Sequence, residues 1–238
     1  MKKHIMLRIN NNLNINLLFS NLLTLLAKIT LILTISTSQN CYANQNKSDI
    51  SNKQSNQLIN QYKNDLEIIE NFLNNIKNLT ANFTQTTDKS IVNGKFYLSR
   101  IKDQSGKMRI EYSADPKVLI VVNGAILTYK DIELDEVSKL STNSTPASFL
   151  TRPNISFSSK DIEITNIVKE NDQIKISLLK KNRKDAGEFS IIFNTNPLEF
   201  IKMEVKNDLS QVISVKLRDI EFPENITNNL YIIKNNEF

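Results

Sequence analysis

Residues 94–124 read GKFYLSRIKDQSGKMRIEYSADPKVLIVVNG. Three short runs of alternating or continuous apolar residues are separated by polar, turn-forming links, which is the pattern of a β-meander. In the first run Gly94, Phe96, Leu98 and Arg100 fall on one face, because side chains alternate across a strand with period two. An arginine therefore ends an otherwise apolar face. In the second run Met108, Ile110 and Tyr112 share a face and Arg109 points away from them, which reads as a solvated or outer-face arginine. The third run, VLIVV, is apolar throughout, so alternation alone leaves open whether Leu119 and Val121 or Val118 and Ile120 face inward.

Outward from this stretch the same period continues. Six strands are predicted between residues 80 and 140, with Asn93-Gly94, Ser105-Gly106 and Asn123-Gly124 as turn or bulge signals. Short links favour antiparallel neighbours. Before them, Leu58, Ile59, Tyr62, Leu66, Ile69, Phe72, Leu73 and Ile76 recur at spacings of three and four. That stripe predicts one amphipathic helix that needs a sheet to cover it. After them, residues 146–151, PASFLT, read as a short helical turn with Pro146 at its first position and Ser144 or Thr145 as cap. A segment this short does not hold itself as a helix, so Phe149 and Leu150 must lie in something. Five further strands are predicted between residues 161 and 219, and residues 230–238 offer another short one. The expected fold is mainly β with helices: a highly curved antiparallel sheet or open barrel of about 11 strands, with a helix packed on it.

Composition narrows the chemistry. Residues 1–43 hold a basic start, an apolar run and a small residue at Ala43, as a secretory signal peptide cut after Ala43 would. An uncleaved membrane anchor is the other reading. Lys28 in the middle of the run argues against it, at a cost of about 2.5–3.5 kcal/mol at a bilayer centre. Lipid attachment at Cys41 is a third, though SQNC lacks the usual small apolar run before the cysteine. Of the 30 basic residues, Lys2, Lys3, Arg8 and Lys28 lie in this segment, leaving 26 against 25 acidic ones. The remainder is near neutral and gives no electrostatic case for nucleic-acid binding. Residues 44–53 read as disordered, and residues 54–238 as a single domain.

The single histidine, His4, and the single cysteine, Cys41, also fall within residues 1–43. Beyond them there is no imidazole or thiol for nucleophilic catalysis, or for zinc or haem ligation. No catalytic residue, cofactor or metal site is expected. The acidic run Asp131, Glu133, Asp135 and Glu136 is split over both faces and reads as a solvated edge rather than a hydrolase site.

Taken together, GKFYLSR, GKMRIEYSADPKVLIVVNG, STPASFLTRPNISF and DAGEFSIIFNTNPLEFIKMEV, behind Phe83-Thr-Gln85, resemble the outer-membrane lipoprotein carrier proteins of the LolA family. The resemblance covers roughly residues 58–222. The family's usual proline after the strand-ending arginine is replaced by Ile101, and IKDQ lengthens the loop. The family's fold would be an unclosed antiparallel barrel with a helical lid over an apolar cavity. Its function would be to carry acylated lipoproteins through the periplasm, from an inner-membrane lipoprotein-releasing transporter to an outer-membrane acceptor, as a monomer and without catalysis. A periplasmic regulatory protein that senses lipid or lipoprotein with the same fold is the alternative.

Two readings of Arg100 arise from the residues. It snorkels to water or a surface carboxylate, or it reaches the orphan carbonyls at the end of the lid helix. The resemblance favours the second and makes Arg100 the lid latch, with Pro146, Phe149 and Leu150 as the lid. Phe83, Phe96, Leu98, Met108, Ile110, Tyr112, Leu119, Val121, Leu127 and Tyr129 are the expected lipid-cavity residues.

Overall fold

A computed structural model describes residues 52–233, apart from 102, 114–116, 146, 183–185 and 208. The signal-peptide reading, most of the segment read as disordered, Pro146 and the last five residues lie outside the described residues. Residues 52 and 53, read as the end of that segment, are already helical.

The stripe read as one helix forms two, α1 over residues 52–61 and α2 over Lys63–Asn75. They meet at Tyr62, which leaves helical geometry, while its N–H still donates to the Leu58 carbonyl and its carbonyl accepts from Leu66. Leu66, Ile69 and Leu73 are the buried face of α2. The helix stops at Ile76, whose backbone is extended.

Eleven strands follow: β1 Asn78–Thr86, β2 Ile91–Ser99, β3 Lys107–Tyr112, β4 Val118–Asn123, β5 Ile126–Asp131, β6 Glu136–Ser141, β7 Ile162–Glu170, β8 Gln173–Lys180, β9 Glu188–Thr195, β10 Leu198–Lys206 and β11 Val212–Glu221. They form one antiparallel sheet ordered β6-β5-β4-β3-β2-β1-β11-β10-β9-β8-β7. Two meanders are thus joined by the pairing of β1 with β11, and the sheet is not closed: β6 and β7 are its edges. The link between those edges, residues 142–161, contains the short helix α3, Ala147–Leu150.

β6 starts later than read, because the Asp131 carboxylate accepts the N–H groups of Glu133 and Leu134 and ties residues 132–135 into a turn. Bulges interrupt β7, β10 and β11, between Ile164 and Asn166, Phe200 and Lys202, and Arg218 and Glu221, adding local twist to the sheet. At the β7 bulge the Ile164 N–H donates to Ser55 Oγ of α1, so the helix occupies part of that edge. Residues 228–231 form a 3₁₀ turn, and the rest of the stretch that offered another strand, residues 234–238, lies outside the described residues.

The inner face of the sheet, α2 and the lid share one core, in which Leu79, Phe83, Phe96, Leu98, Phe149, Leu150, Phe157 and Phe193 are almost fully buried. Gly94 has its own reason. A Cβ there would lie 2.1 Å from the Glu111 carbonyl oxygen and 2.5 Å from the Phe83 ring, so the ring lies where a side chain would have been. A second, smaller cluster lies on the outer face, where Leu119 and Val121 pack with Tyr231. Among the described residues no helix is long and apolar enough to cross a membrane, and no group of three or more His, Cys, Asp or Glu side chains is placed to hold a metal ion.

Candidate functional site: the lid and its arginine

Arg100 follows the last residue of β2 and keeps the strand's alternation, so it points with Phe96 and Leu98 into the protein, where only 8% of it is exposed. Its guanidinium touches two elements. Nη1 donates to the Leu73 carbonyl at 3.2 Å and Nη2 to Asn74 Oδ1 at 3.2 Å, both at the end of α2. Nη2 also donates to the carbonyls of Arg152 at 2.9 Å and Pro153 at 3.4 Å, immediately after α3. Burial lowers its pKa, but a guanidinium stays charged in a protein. Its charge is met by the Leu73 carbonyl in the last turn of α2, which also accepts the Ile76 N–H, and by two carbonyls that follow the short helix α3.

The β2–β3 loop supplies the next contact. The Gly106 N–H donates to the Thr151 carbonyl at 2.7 Å. The carbonyls of Thr151, Arg152 and Pro153, consecutive after the lid helix, are therefore all taken by residues 100 and 106. Gly106 fits there because it lacks a side chain: a Cβ would lie 3.2 Å from the Thr151 Cα and 3.3 Å from Arg100 Cγ. The lengthened IKDQ loop therefore still brings its glycine against the lid.

Further along, α2 holds the segment after the lid. Asn74 donates to the Ile155 carbonyl and accepts its N–H, each at 2.8 Å. Glu70 accepts from the Phe157 N–H and the Ser156 hydroxyl. Arg152 pairs with Asp161 and lies over the Phe149 ring, 5.5 Å from its centroid. Burial works against the Asp161 charge, but the Ser159 hydroxyl and Arg152 outweigh it and hold its pKa below the usual value.

On its inner side the lid is apolar. Phe149 packs on Phe157 and Phe189, with centroids 5.6 and 5.9 Å away. At the start of the link, the Ser144 and Thr145 hydroxyls, expected as helix caps, donate back to the carbonyls of Ser141 and Thr142.

Of the expected cavity residues, Phe83, Phe96, Leu98, Met108, Leu127 and Tyr129 lie in the inner core with Phe149 and Leu150, and Ile110 and Tyr112 pack against it. The structure places Leu119 and Val121 elsewhere, on the outer face. The inner positions of β4 are Val118, Ile120 and Val122. Both faces of β4 are apolar because the C-terminal segment covers the outer one. Asn78 donates to the Pro223 and Glu224 carbonyls, Lys107 to Asn228 and Asn123 to the Tyr231 carbonyl. Arg109 does lie on the outer face, but it is not solvated. It is 3% exposed, pairs with Glu111 at 2.6 Å and donates to the Leu230 carbonyl at 2.8 Å.

Sequence reasoning missed Asn74, Glu70 and Gly106. The first two looked like the polar face of an amphipathic helix, and nothing local marks them as partners of residues some eighty positions later.

The chain thus forms an open antiparallel sheet of eleven strands, with the segment that links its two edges tied to α2 by the buried Arg100. The chain matches the family described as "Outer membrane lipoprotein carrier protein LolA" over residues 74–234, and it belongs to that family. No curated protein matches it by sequence. Among solved structures it resembles an uncharacterized conserved protein from Thermus thermophilus (8% identity, TM-score 0.45, covering 74% of this chain and 96% of that one). It also resembles a LolA superfamily protein from Nitrosomonas europaea (11%, 0.39, 71% and 97%). A third likeness is to the Pseudomonas aeruginosa MucA/MucB complex (9%, 0.39, 71% and 60%).

Proposed function

We propose that this protein is a periplasmic carrier. It shelters the acyl chains of lipoproteins between the inner face of the sheet and the lid, receives them from an inner-membrane lipoprotein-releasing transporter and passes them to an outer-membrane acceptor. It works as a monomer, by binding and release rather than by catalysis. The observation that carries the reading is the position of Arg100, which joins the end of α2 to the carbonyls that follow the lid helix.

A carrier must hold a lipid and then let it go. Each sheltered CH₂ contributes about 0.8 kcal/mol, so a chain of sixteen carbons would contribute roughly 12 kcal/mol before costs, too much for ready release. In the closed state Phe149 and Leu150 occupy the space that cargo would take. Cargo must displace them and break the Arg100 contacts, and both costs subtract from its affinity. On release the lid returns and recovers its burial.

The reading is tested by native mass spectrometry of the protein isolated from an envelope extract. A co-purifying triacylated polypeptide is expected. Recovery of a single membrane protein with no acylated polypeptide would replace the carrier with a lipid-sensing regulator.

A further inference from the structure

The inner face is not wholly apolar. Gln85, the last inward residue of β1, is 7% exposed and continues the buried row Leu79, Ala81 and Phe83. Its Oε1 accepts the Tyr112 hydroxyl at 2.8 Å. The Tyr112 ring stands edge-on to Phe83, with centroids 5.4 Å apart, which fixes where the hydroxyl points. Tyr129, on the same face, is close enough for its charge to influence the Tyr112 phenol. Burial, then Tyr129, raises the Tyr112 pKa, and burial, then Asp131 and Glu136, raises that of Tyr129 to about 12. Both are therefore neutral hydroxyls over the physiological range.

Among the described residues neither the Gln85 amide nitrogen nor the Tyr129 hydroxyl has a hydrogen-bond partner. Neither is sealed off completely, since the Tyr231 hydroxyl alone among the described side chains is both fully buried and unpaired. Solvent can therefore reach the two groups while the site is empty, and an arriving acceptor can take its place. A carbonyl drawn in beside a hydrocarbon chain loses its own water, which is costly unless a donor meets it. The group also sits far from the latch. Eight residues of extended chain separate Gln85 from Lys77, whose carbonyl accepts the Arg100 N–H, and at about 3.3 Å per residue this is roughly 26 Å along the sheet.

We infer that Gln85, with Tyr112, forms a subsite for the carbonyl group of an acyl ester or acyl amide whose hydrocarbon part lies along Phe83, Phe96 and Leu98. The Gln85 amide donates to the carbonyl oxygen, and Tyr112 holds the carboxamide in place by bonding its other end. The inference rests on the lipid-sheltering reading above and adds to it the chemical class recognised. Hydrocarbon burial alone is indifferent to the linkage. This subsite prefers chains carried by a carbonyl over chains with no carbonyl at the linkage.

The test uses two soluble ligands of equal chain length, dodecanoyl sucrose, an ester, and dodecyl maltoside, a glycoside with no carbonyl at the linkage. Both are titrated calorimetrically below their micellar concentrations. The native protein is expected to bind the ester about tenfold more tightly, the worth of one good hydrogen bond. Gln85→Leu and Tyr112→Phe should bring the two affinities together by weakening the ester alone. Gln85→Glu keeps the volume and the bond from Tyr112 but presents an acceptor to the carbonyl, and it should also lose the preference. Circular dichroism identifies any variant that fails to fold, and Tyr112→Phe, which retains the ring against Phe83, keeps the test open if Gln85→Leu does. Equal affinity of the native protein for both ligands, or an equal loss for both in the variants, overturns the subsite while leaving the lipid-sheltering reading intact. Binding of neither ligand by the native protein overturns both.

Discussion

Replacing Arg100 by leucine isolates the proposed latch. Of its four hydrogen bonds, two go to α2, which stays on the sheet when the lid leaves, and two go to the Arg152 and Pro153 carbonyls, which move with the lid. Only the second pair sets the balance between open and closed. A hydrogen bond to a charged group contributes about 1.5–3 kcal/mol net. The bond at 2.9 Å has good length, whereas the one at 3.4 Å lies at the long limit and adds little. The latch thus contributes about 2 kcal/mol, close to a thirtyfold shift in the ratio of closed to open. Hydrogen exchange reads this directly. The amides of Gly106, Ile155 and Phe157 are bonded across the lid junction, and they should exchange about thirtyfold faster in Arg100→Leu, while β8 and β9 keep their rates. Acyl ligands should bind more tightly by up to the same factor, because apparent affinity scales with the population of the open state, and transfer to acceptor vesicles should slow. Arg100→Lys keeps the charge but cannot span both helix ends with a planar fork, and should fall between. Native exchange rates at Gly106 and Ile155 in Arg100→Leu would show that the arginine is structural and does not control the lid.

Other substitutions probe neighbouring contacts. Phe149→Ala removes the ring packed on Phe157 and Phe189 and should weaken lid closure by about 3 kcal/mol, seen as tighter binding of dodecanoyl sucrose. Asn74→Ala leaves both backbone groups of Ile155 without their partner. It should cost about 1–3 kcal/mol, read as faster exchange of residues 155–157 and a lower Tm. Gly94→Ala drives a methyl into the Glu111 carbonyl and the Phe83 ring. It should destabilise by about 3 kcal/mol or more, since a packed core has no room to yield, with the loss seen in the urea midpoint. The Asp161 pKa is depressed in the folded protein, so its contribution is present above the unfolded value and fades as pH falls through the folded one. The protection factors of the lid amides, in which the intrinsic pH dependence of exchange cancels, should be flat from pH 5 to pH 8 and fall only below about pH 4, and Asp161→Asn should abolish that fall.

The sheet was legible where one face is wet. In β2 the alternation of Phe96, Leu98 and Arg100 against Lys95, Tyr97 and Ser99 sets both register and direction, and it is enough to turn Arg100 inward. In β4 it fails, because both faces are buried and the two-residue period vanishes from VLIVV. What buries the outer face is the segment from Pro223 to Ile233, whose asparagines and short apolar runs look like a loose tail. It holds its place through single side-chain bonds from β1, β3 and β4, and such bonds leave no periodic trace. The same segment explains why Arg109, read as solvated or on the outer face, lies on the outer face but away from water. The pairing of Asn74 and Glu70 with residues 155–157 was hidden for a related reason: side-chain bonds to backbone between distant segments do not constrain the sequence of the backbone partner.

The pairing of β1 with β11 has a consequence for assembly. Each half of the sheet is a meander of neighbours that pair as soon as they are made, and contacts within it are local. The two halves are joined edge to edge only when the strand from Val212 to Glu221 reaches the strand from Asn78 to Thr86, across about 130 residues of intervening chain. A chain emerging from its N-terminus therefore carries β1 with one bare edge until β11 has been made. Such non-local closure is slow, and a bare edge recruits other strands. The polar outer positions of β1, Thr80, Asn82, Thr84 and Thr86, make that waiting edge a poorer template for aggregation than its buried face alone would suggest.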